Sequence, residues 1–531
     1  MRVRAAVTVA GVVALVLSIL YLLAPPMGTD LSAQVARAGF FARHGAVPID
    51  FGWYGGQSQF GYSLLTAPLG AALGVRVLGA LAAVVSAVAF AYLLIRWHAP
   101  RPLLGAVLGA LVLVANLVSG RTTFAVGTAF GLLALCSVSA ARPARIVRLV
   151  AAAVLAALAT WASPVAGLFV GLAGGALLLA RLNRRHDGRW GIDGNVAESL
   201  VLCLAPAVAL LPMAVLFGNG GVQPFTAESM RINVALTAVA FLMVPARHRT
   251  LRFGAVLTVI LLLAAFYLPS PVGSNALRLP MLFALPVVAA FATLRRRWLA
   301  AALVALVWWQ SPVVIGDLAR AGSAPARAAF YRPLLDELAR RGPVGRIEVV
   351  PLRDHWEAAY VAPLVPVARG WERQSDVERN PLFYRGALDP DEYGQWLRRN
   401  AVSYVALAPD SEPDTFGRQE AALVATAPPY LREVWRDRDW RLYAVDGATP
   451  LVDSPGRLVE ASSAGVTLTT DAPGDVLVRV RWSRWLTVDG SGACVSPAAD
   501  GWTTVRAPAA GSYRLSSDLR PGPVCQRVSS G

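Results

Sequence analysis

The sequence predicts an α-helical polytopic membrane domain of about 11 spans, followed by an extracytoplasmic α/β segment and a C-terminal β-sandwich. Three observations carry this expectation. With 56% hydrophobic and 15% charged residues, the composition suits a surface facing lipid more than water. Long apolar runs recur up to residue 316, and every second junction between them is rich in Arg. Beyond residue 316 the composition becomes that of a water-soluble chain.

Residues 4–24, RAAVTVAGVVALVLSILYLLA, are long enough at about 1.5 Å per residue to cross a hydrocarbon core of about 30 Å. Arg2 and Arg4 hold their start on the cytoplasmic side. The alternative, a cleaved signal peptide, leaves the remaining topology unchanged. Further spans are expected near 75–95, 102–119, 122–141, 146–162, 164–180, 198–217, 231–246, 253–268, 279–294 and 298–316. Ser163–Pro164 reads as either a tight outside turn or a kink. Junctions 96–101, 142–148, 181–197, 247–252 and 295–297 are Arg-rich, and the intervening ones are sparse in charge. An N-terminus inside and 11 spans therefore place the C-terminus outside a plasma membrane.

The net charge of +16 has the same origin. Every basic residue apart from the His is Arg, and 17 of the Arg lie in the N-terminal flank and these junctions, against only Asp187 and Asp193. The excess reports topology, which removes nucleic acid as a partner.

The outside loops then become specific. The first, residues 25–62 and assigned with the membrane domain 1–316, contains DLSAQVARAGFFARHGAVPIDFGWYGGQSQFGY. It carries two carboxylates, Asp30 and Asp50, and an interfacial His44 that reads as solvated. Asp30 or Thr29 also suits the N-cap of a helix over LSAQVARAGFFARHG. In FGWYGGQSQFGY, Trp53 and Tyr54 either stack on a sugar ring while the glycines admit its close approach, or form an interfacial aromatic belt. Gln57 and Gln59 tilt the segment towards a polar sugar or acceptor ligand. Three later outside turns hold one conspicuous cation each: Arg121, Arg231 and Arg278. A guanidinium there either grips a phosphate with its planar fork or snorkels or caps a helix, and Arg278, in an SNALR turn, is the best phosphate ligand.

Residues 317–450 read as an α/β domain: a helix near 329–341, strands at 346–350 and 400–409, and a hairpin in YLREVWRDRDWRLYAV. Its ARGWERQSD stretch, with Arg369, Trp371, Glu372, Arg373 and Asp376, reads as a salt-bridged loop or as part of an acceptor site. Residues 451–531 alternate in the manner of short strands separated by Gly, Pro, Asp and Ser, which suits a β-sandwich. Trp482, Trp485 and Trp502 are its core or, alternatively, carbohydrate platforms. Cys494 and Cys525 fall in this domain and suit a disulfide in an oxidising compartment, whereas Cys136 and Cys203 fall in apolar spans. The five His show no zinc spacing.

The layout, together with the segments GWYGGQSQFGYSLLTAPLG, SGRTTFAVG, PVGSNALRLP and ARGWERQSDVERNPLFY, resembles GT-C-type polytopic membrane glycosyltransferases and actinobacterial multi-span glycosyltransferase-like proteins of the cell envelope. The resemblance implies transfer of a sugar from a polyprenyl-phosphate donor to a cell-envelope glycan or lipid acceptor at the outer face, without a nucleotide sugar. It implies that the carboxylate just past the first span, here Asp30, takes the acceptor's proton, and that an Arg stabilises the leaving phosphate. Many members carry a second acidic residue beside the first; here Leu31, Ser32 and Ala33 follow. A divalent metal then depends on Asp50 approaching from elsewhere. The rival functions are a multi-span transporter, against which stands the lack of Asp or Glu in the middle of any span, and a non-catalytic envelope-assembly protein.

Overall fold

The computed structural model describes residues 2–184, 190–192, 196–218, 220–520 and 522–525. Of the expected basic junctions, Arg185, Asp187, Arg189 and Asp193 and the side chains of Arg2, Arg4 and Arg184 lie outside the described residues. The chain forms two compact units. The first combines Met1–Gln34 with Gly61–Ala321, and the second combines Val35–Phe60 with Gly322–Gly531. Most of the loop 25–62, assigned from sequence to the membrane domain, is thus part of the second unit.

The first unit is helical: α1 (Arg2–Leu23), the first turn of α2 (Leu31–His44), α3 (Thr66–Leu73), α4 (Val75–Arg96), α5 (Pro102–Val118), α6 (Thr122–Ser139), α7 (Arg145–Ala162), α8 (Pro164–Ala180), α9 (Ala197–Phe217), α10 (Ala227–Met243), α11 (Arg249–Tyr267), α12 (Arg278–Phe291) and α13 (Arg296–Ala319). Each expected span is a helix. Seven are long and apolar enough to cross a membrane, and an eighth if α13, bent by 48° near residue 311, counts as one span. Of the others, α5, α8 and α10 have 17 residues each. Ser163 is extended and Pro164 opens α8 at a position where its missing N–H costs nothing, so α7 and α8 are separate helices. A short hairpin, β3 (Leu182–Arg184) with β4 (Trp190–Ile192), links α8 to α9.

Small residues let the helices of this unit approach closely. Ala6, Ala10 and Ala14 on α1, Ala83, Ala87 and Ala91 on α4, and Ala106 and Ala110 on α5 recur every four residues and are buried. That spacing puts them on one helix face, where backbone-to-backbone packing replaces the hydrophobic drive that lipid removes. Conversely Val12, Leu15, Val16 and Ile19 on α1, and Leu204, Val208 and Leu211 on α9, are exposed, as a lipid-facing surface requires.

The second unit holds the remainder of α2, the two-residue strands β1 (Ile49–Asp50) and β2 (Gln57–Ser58), and the C-terminal domains. A four-stranded sheet in the order β5 (Ile347–Val349), β6 (Tyr404–Leu407), β8 (Arg441–Val445), β7 (Leu431–Arg436) pairs β5 and β6 in parallel and the rest antiparallel. The helices α14 (Ala328–Arg340), α15 (Glu357–Tyr360), α16 (Arg373–Arg379), α17 (Pro390–Arg399) and α18 (Arg418–Ala425) complete this α/β part. The hairpin expected from YLREVWRDRDWRLYAV is β7–β8. The C-terminal part stacks a four-stranded sheet, β12 (Leu486–Asp489), β15 (Gly511–Ser517), β10 (Gly465–Thr470), β9 (Gly456–Ser462), with a three-stranded one, β11 (Gly474–Val478), β14 (Thr503–Ala507), β13 (Cys494–Pro497). Val466, Leu468, Val476, Val478, Val505 and Leu515 from the two sheets share one buried core. Cys494 and Cys525 form a disulfide with Cα atoms 5.0 Å apart.

Candidate active site

Two backbone turns meet in the helical unit. After α1 the chain turns through Gly28 to Asp30, and between α5 and α6 it turns through Ser119–Gly120 to Arg121. The Asp30 N–H donates to the Ser119 carbonyl at 3.1 Å. A Cβ on Gly28 would lie 2.3 Å from the Val118 oxygen, and one on Gly120 would lie 2.2 Å from the Leu31 nitrogen. Both glycines have positive φ, +96° and +75°. Only residues without a Cβ allow this contact, and the contact is what sets Asp30 against Arg121. The first turn of α2 is held in addition by Gln34, which accepts a hydrogen bond from Thr123 at the start of α6.

Arg278, the first residue of α12, comes to the same place from another part of the sequence. Its Nη2 lies 3.5 Å from Asp30 Oδ2, and Arg121 Nε lies 3.6 Å from the same oxygen. These distances are longer than the roughly 2.7–2.9 Å of a closed charge-assisted hydrogen bond. One carboxylate oxygen is therefore bracketed by two guanidiniums without being sealed by either. The Arg121 Nε is buried and makes no hydrogen bond. The three side chains keep 24%, 25% and 16% exposure for Asp30, Arg121 and Arg278, enough for a ligand to reach them. The Arg278 guanidinium also sits 5.3 Å from the centre of the Phe124 ring, which fixes its direction.

Arg121 and Arg278 line a cavity of about 270 Å³ between α5, α12 and α13. Apart from them, Asn116, Ser119 and Gln310, its walls are apolar, with Leu111, Met281 and Val307 among them. A second cavity of about 240 Å³, reaching from Phe90 on α4 to Phe291 on α12, has no charged lining residue. Of the two, the first alone joins a pair of cations to an apolar channel, the chemistry of an anionic head on a long hydrocarbon.

Arg231 does not join this group. Arg231 is not in a turn: α10 begins at Ala227, with Thr226 as its cap, so Arg231 lies exposed on the helix and outside the cavity lining. Asp50 belongs to the second unit and is buried there, its oxygens accepting from the Gly52 N–H at 2.7 Å and the Gln59 amide at 3.2 Å. Burial pushes its carboxyl up to about 7, against the pull of that N–H and of Arg43 and Arg37. Its carboxylate closes the turn at Gly52.

The expected sugar wall is also reassigned. Trp53 and Tyr54 are buried, 1% and 3% exposed, so neither offers a face to a sugar or to the membrane interface. Trp53 donates to the Ala358 carbonyl, and Tyr54 exchanges hydrogen bonds with the backbone of Glu372. Gln57 donates to Ser375 at 3.0 Å, and Gln59 is the partner of Asp50. The segment's aromatic and polar groups serve the interior of the second unit.

ARGWERQSD takes the salt-bridged form. Arg369 bonds Asp376 at 2.7 Å and Glu420 at 2.8 Å, Arg373 bonds Asp414 at 3.0 Å, and Glu372 bonds Arg37 at 2.6 Å. Sequence reading did not anticipate His355, which is buried with positive φ, stacks on Trp371 at 3.7 Å and lies between Glu357 and Asp414. Burial pushes the imidazole towards neutrality, but the two carboxylates win and hold its pKa above the ordinary value. Among the described residues, no group of three or more His, Cys, Asp or Glu is placed to hold a metal ion.

No protein-family model and no curated protein matches the chain. Among solved structures, it is similar to the arabinofuranosyltransferase AftD from Mycobacteria, at 17% identity and a TM-score of 0.48 over 88% of this chain and 41% of that one. It is also similar to the oligosaccharyltransferase of Archaeoglobus fulgidus, at 12% identity and a TM-score of 0.45 over 84% of this chain and 74% of that one. The chain thus matches about two-fifths of the AftD chain.

The glycine contact makes the first prediction. Gly120→Ala places a methyl against the Leu31 nitrogen in a backbone conformation that costs an L residue about 1 kcal/mol or more. Any activity that needs Asp30 beside Arg121 is expected to fall at least about tenfold, while helix content by circular dichroism is unchanged. Unaltered activity shows that this contact does not position Asp30.

Proposed function

We propose that the chain is a membrane glycosyltransferase that moves a sugar from a polyprenyl-phosphate donor to a cell-envelope hydroxyl acceptor. The observation that carries this reading is the pair Arg121 and Arg278, set around one oxygen of Asp30 and lining a largely apolar cavity. The cavity receives part of the prenyl chain and the two guanidiniums receive the phosphate. The acceptor hydroxyl attacks the anomeric carbon as Asp30 takes its proton. The bond from that carbon to the phosphate oxygen breaks, and the electron pair leaves on the polyprenyl phosphate, whose growing charge the two Arg neutralise. The resemblance of GWYGGQSQFGYSLLTAPLG and PVGSNALRLP to GT-C-type proteins agrees with this class. In this reading the site faces the outside of the cell membrane.

The test supplies radiolabelled polyprenyl-phosphate sugars to membranes containing the wild type, Arg278→Gln or Arg121→Gln. Each variant is expected to lose about 10²-fold in transfer, the size of removing one transition-state donor, with the larger loss at saturating acceptor. Transfer that is absent in the wild type across a panel of donor sugars, or undiminished in both variants, overturns the proposal.

A further inference from the structure

Three arginines of the second unit meet at the Gly55–Gly56 turn. Arg346 Nη2 would lie 2.9 Å from a Cβ on Gly55, whose φ of +74° and missing side chain admit the guanidinium. The Arg481 backbone N–H donates to the Gly55 carbonyl at 2.7 Å, and Arg379 Nη1 donates to the Gly56 carbonyl at 2.9 Å. The Arg346 and Arg481 guanidiniums flank one Trp502 ring, 5.7 and 4.4 Å from its centre, and Arg379 sits 5.6 Å from the Tyr54 ring.

What distinguishes this cluster from ARGWERQSD is the absence of closed ion pairs: Glu372 and Glu378 act on Arg379 and Asp500 acts on Arg481 only through the field, and Arg346 has no such carboxylate. Among the described residues, none of the three forms an ion pair, whereas Arg369, Arg373 and Arg37 each do. Arg346 is 2% exposed, donates to the Asn400 and Arg479 carbonyls, and leaves its Nε without a partner. The Arg481 Nε is likewise buried and unpartnered, and the acceptor of this side chain's Nη1, the Asp500 carbonyl, stands at 3.5 Å. Buried guanidiniums without a bonded anion are costly, because desolvation and like-charge repulsion add. Burial, then Arg481 and Arg479, push Arg346 down to about 9, and burial, then Arg379, push Arg481 down to about 10 against the pull of Asp500. Arg481 and Arg379 remain partly exposed, which gives solvent a way in.

We propose that Arg346, Arg379 and Arg481 form an oxyanion-binding site at the Gly55–Gly56 turn, taking a phosphate or carboxylate group. An oxyanion supplies the acceptors that the unpartnered Nε groups lack and neutralises the cluster in one step. Both a phosphate ester and an acidic sugar present such a group. The site is separate from the pair Arg121 and Arg278 in composition and does not depend on the transferase reading.

The test follows thermal unfolding of the purified full-length protein against inorganic phosphate, D-glucuronate and, at matched ionic strength, sodium chloride. It is run in an Arg121→Gln/Arg278→Gln background, so that the donor site contributes nothing. A ligand that binds only the folded chain raises the midpoint in a saturable way. The expected result is saturable stabilisation by phosphate or glucuronate beyond chloride, with the stronger of the two identifying the source. Adding Arg481→Gln or, separately, Arg379→Gln is expected to weaken that anion about tenfold, read as the ligand-dependent increment so that a shifted baseline does not matter. Equal responses to all three salts overturn the proposal, as does an increment unchanged in both variants. Transfer assays on the Arg121 and Arg278 variants are a separate readout, so either reading can fail alone.

Discussion

Replacing Asp30 by Asn is expected to lower sugar transfer by about 10²–10⁴-fold, the span that a positioned general base contributes, while binding of polyprenyl phosphate is retained or tightened. The two effects have one cause. Asp30 Oδ2 is the acid group paired with Arg121 and Arg278, at 3.6 and 3.5 Å, and in the proposed function a donor phosphate draws on the same guanidiniums. A neutral amide removes the base and also removes the carboxylate that competes for the Arg pair. Donor binding is measured by photocrosslinking of a polyprenyl-phosphate probe, and transfer with labelled donor and acceptor in the same membranes. Wild-type transfer in Asp30→Asn removes Asp30 from the chemistry. Loss of transfer together with loss of donor binding makes it part of the phosphate site instead.

The second large effect concerns stability. Arg369→Met is expected to destabilise the second unit by about 3–5 kcal/mol, the cost of stranding buried charges by deleting one partner. Arg369 lies between Asp376 and Glu420, all three buried, and its guanidinium also stacks 3.9 Å from the Phe383 ring centre. The neighbouring Glu348, 0% exposed, has its pKa pushed well up by burial and by Glu420. Burial also pushes Asp376 up, but Arg369 outweighs it and holds the carboxyl below its usual range. A depressed folded-state pKa contributes stability that is present at neutral pH and lost as pH falls through it. The wild type should therefore lose stability on acidification below the ordinary carboxylate range, and Arg369→Met should show a weaker acid dependence from Asp376. Thermal unfolding of the protein, followed by tryptophan fluorescence from about pH 2 to about pH 7, a span that extends below the ordinary carboxylate range, measures both. An unchanged midpoint at neutral pH makes the cluster dispensable.

Much of the fold was legible because the signals are local. A run of apolar residues as long as a bilayer is thick forms a helix wherever it lies, since its backbone groups have no other partner in lipid. The expected runs accordingly coincide with α1 and α4–α13, and the alternating segments VTLTT, VLVRVRW, TTVRAP and SYRLSS coincide with β10, β11, β14 and β15. Errors arose at places decided by contacts. Arg231 was placed in a turn because the polar residues AESM before it lowered the apolar count, yet Thr226 caps the helix ahead of them. Trp53, Tyr54, Gln57 and Gln59 carry the composition of a sugar site, but Ala358, Glu372 and Ser375, some 300 residues later in the chain, take up the polar groups of the first three. No local pattern reports that.

Hydropathy, length and turn chemistry were enough to establish a polytopic helical part followed by α/β and β-sandwich parts, because each property is written over a short stretch of chain. They also marked Arg121 and Arg278 as outside cations suited to phosphate, while the base role of Asp30 came from the resemblance to GT-C-type proteins. Which of many candidates meet was decided by tertiary structure alone. Two facing glycines brought Asp30 to Arg121, and the start of α12 brought Arg278 across a separation of 248 residues to the same oxygen. The physical reason is that side-chain chemistry is a property of one residue, whereas distance, burial and unpaired donors are properties of everything packed around it.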